Sequence, residues 1–427
     1  MTPFLRKLLG LNWMLLLLMY GLLVFGVFMI QSAARNLDIS AEELAQYGSA
    51  GALYASKQKN WILVGSVVFF ATALLDYRWI RWLAMPAFGV SLVLIAAAKF
   101  YGNKVHQLEF GGIKFQPVQM GIVAGILMIA WLLQDFPRIH RWFGSSFSRI
   151  GVIGVSAGLP FLMAAAVGDT GSALVWVPVT LVALLVGGVA FRHILFMMFI
   201  GAGVVPILYF VVLPSMGSKK PPAEPAAAAV VDNAKRHMSS GERAKLRIDI
   251  WLDMLNGREV NVLDEAYGAH HASMAVGKAG WKGIGWNASA EKKSLVAQGF
   301  LPKDTTHNDY IFAVIAEELG FRGSLALLIA FAVLLVQCLL VAYYSRDISG
   351  RLIAALVLTL IFAHVFESIG MCVLLLPITG IPLPFISYSG TFVVICMFLM
   401  GLVQSVWIHR FDRPSRIVES AAEPQVF

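Results

Sequence analysis

Charge is scarce in this sequence. Only 14% of its 427 residues are Asp, Glu, Lys or Arg, where a soluble chain carries about 25%. That shortage excludes a large soluble domain. Cysteine is rarer still: Cys338, Cys372 and Cys396 are the only three. All lie in apolar runs without metal-ligand spacing, so they read as small core residues. There is no Walker A sequence, no HExxH, no CxxC and no convincing GxSxG elbow. Autonomous ATP use and the common metallohydrolase and serine-hydrolase sites have no motif here.

What the chain has is apolar length. Hydrophobic residues make up 58% of it, and its mean hydropathy is +0.74. Windows long enough to cross a bilayer fall at 12–32, 61–76, 80–98, 118–135, 150–167, 172–190, 192–214, 322–344, 351–376 and 385–408,. The expected fold is an all-α polytopic membrane protein of about ten transmembrane helices. The first apolar run is too long for a signal-peptide core and reads as a retained span. The net charge of +8 sits mostly beside these spans, which marks topology rather than nucleic-acid binding.

Ten spans put both termini on one side. With a cytoplasmic N-terminus, the inner segments carry thirteen Lys and Arg and the short outer loops carry six, so positive charge favours this orientation. Trp61, Trp79, Trp82, Trp142 and Trp407 fall near span ends, as an interfacial belt requires,. The resulting division is helices 1–7 in 1–214, a large extracytoplasmic loop in 215–321, helices 8–10 in 322–410 and a cytoplasmic tail in 411–427. That loop opens with a Pro/Ala-rich stretch at 219–231,. It continues into 239–256, whose Leu246, Ile250, Trp251, Met254 and Leu255 recur at helical spacing,. This predicts an amphipathic helix, lying on the membrane or packed on the protein's own spans.

The loop ends in Gly299–Gly323, which carries the densest chemistry. A polar run with Lys303, Asp304, His307, Asn308 and Asp309 leads into an apolar helical segment bearing Glu317 and Glu318. Asp309 reads as a helix N-cap, or as a general base at the outer membrane surface, and one position can serve both. Adjacent acids on a helix point apart, so Glu317 and Glu318 read as one solvated acid and one paired. Asp169 sits in the tight turn Val167–Ala173 as a turn former or a substrate contact. Lys114 and His106 precede the fourth span and can meet a phosphate. Pro377–Gly390 holds three prolines and two glycines in fourteen residues, which breaks a helix where backbone lines a cavity or is buried in protein. Glu367, an intramembrane acid, reads as a site residue or as a partner of His364.

Several stretches together resemble the shape, elongation, division and sporulation (SEDS) family, the RodA and FtsW proteins, over most of the chain. Phe115-Gln-Pro117 looks like the family's FQP entry to the fourth span. Gly168-Asp-Thr-Gly-Ser-Ala173 is similar to its PDLGTA turn, and Gly277–Trp286 to its GSGGLFGKGW segment. The run from His307 to Gly320 is close to HTDFIFAVLAEELG, and Pro377–Gly390 to LPVTGIPLPFVSYGG. The short N-terminus looks more like RodA than FtsW.

The resemblance implies a loop between helices 7 and 8, with peptidoglycan glycosyltransfer at the outer face of the bacterial cytoplasmic membrane. Lipid II is the implied substrate and a class B penicillin-binding protein transpeptidase the implied partner. The family's essential acid matches Asp309. Substrate contacts are expected from Lys114, Gln116, Asp169, Arg247, His271, Lys278, His307, Glu318 and Ser387. Lys114, Arg247 and Lys278 are the cations for a pyrophosphate leaving group, and a divalent cation, Mg or Mn, can share that role. A lipid-linked precursor flippase and a non-catalytic scaffold are the alternative functions.

The chain departs from the family pattern in places. The usual Gln-Pro-Ser-Glu and a lysine three residues later appear as Gln116-Pro-Val118-Gln119 and Ile122. His106 stands for an arginine, His271-Ala272 for a Gln-Ser pair, and Ser387-Tyr-Ser389-Gly390 for SYGG.

Overall fold

The computed structural model describes residues 7–102, 107–110, 113–139, 141–207, 240–258, 266–287, 294–295, 298, 300–301 and 303–411. The Pro/Ala-rich stretch, His106, the side chain of Lys114 and nearly all of the C-terminal tail lie outside the described residues.

Ten helices follow the ten apolar windows. They are α1 (Trp13–Ala33), α3 (Ala50–Leu74), α4 (Arg81–Tyr101), α5 (Pro117–Ile139), α6 (Ser146–Val167), α7 (Thr170–Val186), α8 (Phe191–Ile207), α12 (Ile311–Tyr344), α13 (Ile348–Cys372) and α14 (Thr391–Ile408). Shorter helices are α2 (Ala41–Tyr47), α9 (Ser240–Leu255), α10 (Ala266–Lys278) and α11 (Lys303–Thr306). Seven of the ten are long and apolar enough to cross a membrane, and α7 and α8 are shorter apolar helices. This is a polytopic membrane protein. The helix α3 starts at Ala50 rather than Trp61, because its polar turns with Lys57, Gln58 and Lys59 continue the helix beyond the apolar window. Trp79, Trp82 and Trp142 are exposed, as a belt position requires,.

One element departs from the all-α expectation. Strands β1 (Leu108–Phe110) and β2 (Ile113–Phe115) form an antiparallel hairpin, with Glu109 opposite Lys114. It leads into α5, which starts at Pro117, a residue suited to the first helical position,.

The centre of the bundle is α13. Residues along 78% of its membrane window are buried, against 33% for α6. It packs against α12, α7, α5 and α14. A helix apolar on all sides belongs in such a position. All three cysteines are buried and free.

The turn after α13 adopts a special backbone. Leu374 and Phe385 hold φ of 60° and 65°, and Gly380 and Gly390 hold 71° and 50°. Left-handed backbone at a bulky residue is strained and needs surrounding structure to hold it. Gly26 of α1 supplies part of that hold, since a Cβ there would lie 2.7 Å from the Phe385 carbonyl oxygen.

The loop before α12 also docks on the bundle. In α9, the Trp251 indole donates to the Leu374 carbonyl at 2.9 Å, and the helix packs on α10 and α6. Of the two positions expected for this helix, the structure adopts packing on the protein's own spans.

Candidate active site

The Asp309 turn is built by one carbonyl. Thr305, in α11, accepts from the amides of Asn308, Asp309 and Tyr310 at 3.1, 2.8 and 3.3 Å. Those donors are satisfied, so no side chain is needed to cap the next helix. Tyr310 is the N-cap of α12 and makes no side-chain cap bond. Asp309 is therefore not the cap that its sequence position suggested. Its carboxylate lies beside Gly380, where a Cβ would come 3.4 Å from Oδ2.

Two other charged groups share this place. Arg247 of α9 acts on Asp309 and on Asp169, and the Asp169 charge acts on Asp309. Asp169 is the N-cap of α7, accepting from the Ser172 amide at 3.0 Å. Its second oxygen accepts from the Gln116 side chain. The turn former and the site residue are thus the same acid. Gln119, where the family pattern has an acid, donates to the Ser172 hydroxyl at 3.1 Å.

Burial dominates the electrostatics. It pushes the Asp309 carboxyl up from 3.8 to about 6, the Asp169 charge adds to the rise, and the Arg247 guanidinium opposes it. Burial likewise raises Asp169, against the Ser172 amide and hydroxyl, Gln116 and Arg247. A carboxylate with a pKa near 6 is ionised at neutral pH yet basic enough to take a proton from a hydroxyl in a transition state.

His307 and Ser387 lie beneath the site as struts. His307 is buried between the rings of Tyr54 and Tyr388, at centroid distances of 4.7 and 5.6 Å, and its carbonyl accepts from the Tyr388 amide at 3.0 Å. Ser387 is fully buried. Its hydroxyl donates to the Asn308 carbonyl and accepts from the Leu383 amide at 2.8 Å. The Gln58 side chain donates to the Ser387 carbonyl at 3.4 Å. These bonds fasten the turn after α13 to the Asp309 turn.

Other expected site residues fall elsewhere. Glu317 and Glu318 are both buried, which corrects the reading of one as solvated. Glu317 accepts from the Leu295 amide at 2.7 Å, and Glu318 accepts from Ser32 of α1. The glycine-rich stretch covers them: the amides of Ile284 and Gly285 donate to the carbonyls of Glu317 and Glu318, each at 2.9 Å. Lys278 is exposed at the end of α10, and its charge acts on Glu317. His271 is buried, stacked on Phe300 at 5.5 Å and close to Tyr267 at 4.3 Å. Glu367 makes no ion pair with His364; the charge acting on it is that of Asp169. His364 bonds its own Leu360 carbonyl and stacks on Phe392. Among the described residues, no group of three His, Cys, Asp or Glu is arranged to hold a metal ion.

The turn at Thr379–Gly380 was not foreseen as part of the site. Its signal in sequence was a glycine between prolines, and the structure gives that glycine a positive φ.

A model of the FtsW/RodA/SpoVE family, described as "Cell cycle protein", matches residues 12–412. The chain belongs to this family. Among the relatives of this FtsW/RodA/SpoVE member is the peptidoglycan glycosyltransferase MrdB of Escherichia coli strain K12, 27% identical over 400 residues and covering 93% of both chains. Another is the peptidoglycan glycosyltransferase RodA of Treponema pallidum, 24% identical over 448 residues, covering 92% of this chain and 97% of the relative. The fold matches solved structures. One belongs to a study of the structural coordination of polymerization and crosslinking by a peptidoglycan synthase complex, with a TM-score of 0.70 at 22% identity, covering 94% and 99% of the two chains. The rod shape determining protein RodA of Thermus thermophilus matches with a TM-score of 0.60 at 19% identity, covering 94% and 98%.

Proposed function

We propose that this FtsW/RodA/SpoVE member is a peptidoglycan glycosyltransferase that polymerises lipid II into glycan strands for cell shape and elongation. The observation that carries the reading is Asp309. It is a half-buried carboxyl with its pKa raised to about 6 by burial, and it feels the charges of a guanidinium and a second acid. The names of the curated relatives support the same activity.

The reaction follows from that geometry. Asp309 takes the proton from the 4-hydroxyl of the acceptor's terminal N-acetylglucosamine. The freed oxygen pair attacks C1 of the donor's N-acetylmuramic acid from the face opposite the leaving group. The C1–O bond to undecaprenyl pyrophosphate breaks with inversion, and the pyrophosphate leaves with the bonding pair. Negative charge grows on that oxygen, and a fixed cation stabilises it best where water is excluded. Arg247, whose charge acts on Asp309, supports that role. Asp169, tied to Gln116 and the start of α7, also feels the charge of Arg247.

In this reading the Asp309 end of the bundle faces outward and both termini are cytoplasmic, in the bacterial cytoplasmic membrane. The excess of Lys and Arg in the inner segments supports it. Loop 215–321 then lies outside, where lipid-anchored sugars reside. The partner in this reading is a class B penicillin-binding protein, as the family resemblance implies.

The test is polymerisation of labelled lipid II by the purified full chain, alone and with such a partner. Strands from wild type and none from folded Asp309→Ala support the reading. Transbilayer movement of the precursor without strands would instead make the protein a flippase.

A further inference from the structure

Three buried polar atoms near the acids Asp309 and Asp169 have no hydrogen-bond partner among the described residues: Glu367 Oε2, Thr379 Oγ1 and Asn308 Oδ1. They come from three separate pieces of the fold. Glu367, 6% exposed, lies on α13 about one and a half turns before its end,. Thr379, 8% exposed, stands in the turn that follows. Asn308 precedes Asp309 in the chain.

Their surroundings are those of the catalytic acid. Gly380, next to Thr379, faces Asp309 Oδ2. The Thr379 Cβ would lie 3.1 Å from a Cβ on Gly171, in the first turn of the helix that Asp169 caps. Glu367 is close enough to Asp169 to feel its charge. Leaving a buried polar atom unpaired is costly, and groups of them that persist mark places where a ligand or water completes the bonding.

The chemistry narrows the ligand. Glu367 and Asp169 bring two acids and no cation to this wall, so a pyrophosphate finds no counter-charge on it and belongs with Arg247. The described acids and histidines are not arranged as a metal site. A neutral group rich in O–H and N–H remains. The Glu367 carboxyl bonds hydroxyls, the Thr379 hydroxyl both donates and accepts, and the Asn308 side-chain oxygen Oδ1 accepts from an amide.

We propose that Glu367 and Thr379, with Asn308, form a carbohydrate subsite beside Asp309 that receives hydroxyl and acetamido groups of a lipid-linked sugar. The assignment of the sugar as that of lipid II rests on the glycosyltransferase reading. The subsite holds the sugar equally in the ground state and the transition state, while Asp309 performs the proton transfer.

The test uses the full chain in detergent with labelled lipid II as the probe. Binding, polymerisation kinetics and thermal midpoint are measured for Glu367→Gln, Glu367→Ala and Thr379→Val. The expected result is a rise in Kd and in KM of about tenfold for Glu367→Ala and Thr379→Val, with less for Glu367→Gln. The kcat stays within about twofold, as loss of uniform binding requires. The Thr379→Val midpoint holds or rises, because an unpaired buried hydroxyl is replaced by a methyl group of similar shape. Unchanged Kd and KM in folded Glu367→Gln and Thr379→Val would overturn the subsite, whether or not Glu367→Ala folds. Lower midpoints with unchanged Kd would overturn it too, showing a structural role. If wild type polymerises and the variants bind as it does, the subsite fails and the glycosyltransferase reading stands. If wild type forms no strands with or without a partner, yet binds lipid II more tightly than the variants, the subsite stands and that reading fails.

Discussion

Gly283 and Gly320 meet backbone to backbone. A Cβ on Gly320 would lie 2.3 Å from the Gly283 amide nitrogen, and a Cβ on Gly283 would lie 2.3 Å from the Glu318 carbonyl oxygen. Both glycines hold left-handed backbone, with φ of 69° and 71°. At this contact α12 breaks, and the glycine-rich stretch bonds across the break. The amides of Phe321 and Arg322 donate to the carbonyls of Gly280 and Trp281 at 2.9 and 3.3 Å. The helical start that follows Asp309 is therefore set at its own angle to the membrane span. Alanine at either position meets both a steric overlap and a disfavoured φ, so each is expected to destabilise by at least about 2 kcal/mol. Thermal unfolding in detergent checks this, with Gly277→Ala as control. Gly277 lies in α10 with open space around it, and alanine there is expected to hold or raise stability.

Asp309 should trade stability for activity. Its pKa rises from 3.8 to about 6 on folding. The favourable contribution of the protonated group is then complete below about 3.8, and it is lost as pH rises through about 6. Asp309→Asn removes that cost, so its thermal midpoint at pH 7.5 should exceed that of wild type and converge with it near pH 4. Its polymerisation rate should fall by about 10²–10⁴-fold. The wild-type rate should climb with pH along a limb centred near 6, as the base ionises. A flat profile between pH 5 and 7 would remove Asp309 from that role.

The membrane fold was legible because bilayer spans need long apolar runs, and those runs survive inspection one residue at a time. Helix ends were less legible. The α3 start lies in a polar stretch where hydropathy falls but helical hydrogen bonding continues. The hairpin before Pro117 has strands of three residues each, too short for a period-two signal. Within the site, Asp309 and Asp169 stood out as acids at span mouths. What no local pattern shows is their meeting with Arg247, Gly380 and Glu367 across long stretches of chain. The amphipathic pattern of 239–256 fixed a helix but left its dock open, and the Trp251 bond to Leu374 decides it. Glu317 and Glu318 misled for a related reason: the cover that buries them arrives from the separate glycine-rich stretch.

Arg247 should tune the base as well as the leaving group. Its positive charge holds the Asp309 carboxyl lower than burial alone would. In Arg247→Ala that influence is gone, so the acid limb of the rate profile should move to higher pH. The plateau should also fall, since charge on the departing pyrophosphate loses its partner. Arg247→Lys should keep the limb close to the wild-type position while recovering only part of the plateau, because a point charge replaces a planar fork. Trp251→Ala frees the helix that carries Arg247 and should shift the limb in the same direction. A limb that stays in place in both Arg247→Ala and Trp251→Ala would show that the guanidinium does not act on Asp309.

Ser387 should behave as a strut rather than as a substrate contact. Its hydroxyl joins the Leu383 amide to the Asn308 carbonyl, across the gap between the turn after α13 and the residue preceding Asp309. Ser387→Ala leaves a buried amide without its acceptor, at a cost of about 1–3 kcal/mol. The thermal midpoint should drop accordingly. The same change loosens the placement of Asp309, and misplacing a catalytic group lowers turnover more than binding. The expected signature is a reduced kcat with a near-normal KM for lipid II. Ser387→Cys, which keeps a weaker donor and acceptor in a larger atom, should recover part of the midpoint and part of the kcat together. A raised KM with an unchanged midpoint would instead place the Ser387 hydroxyl on the substrate.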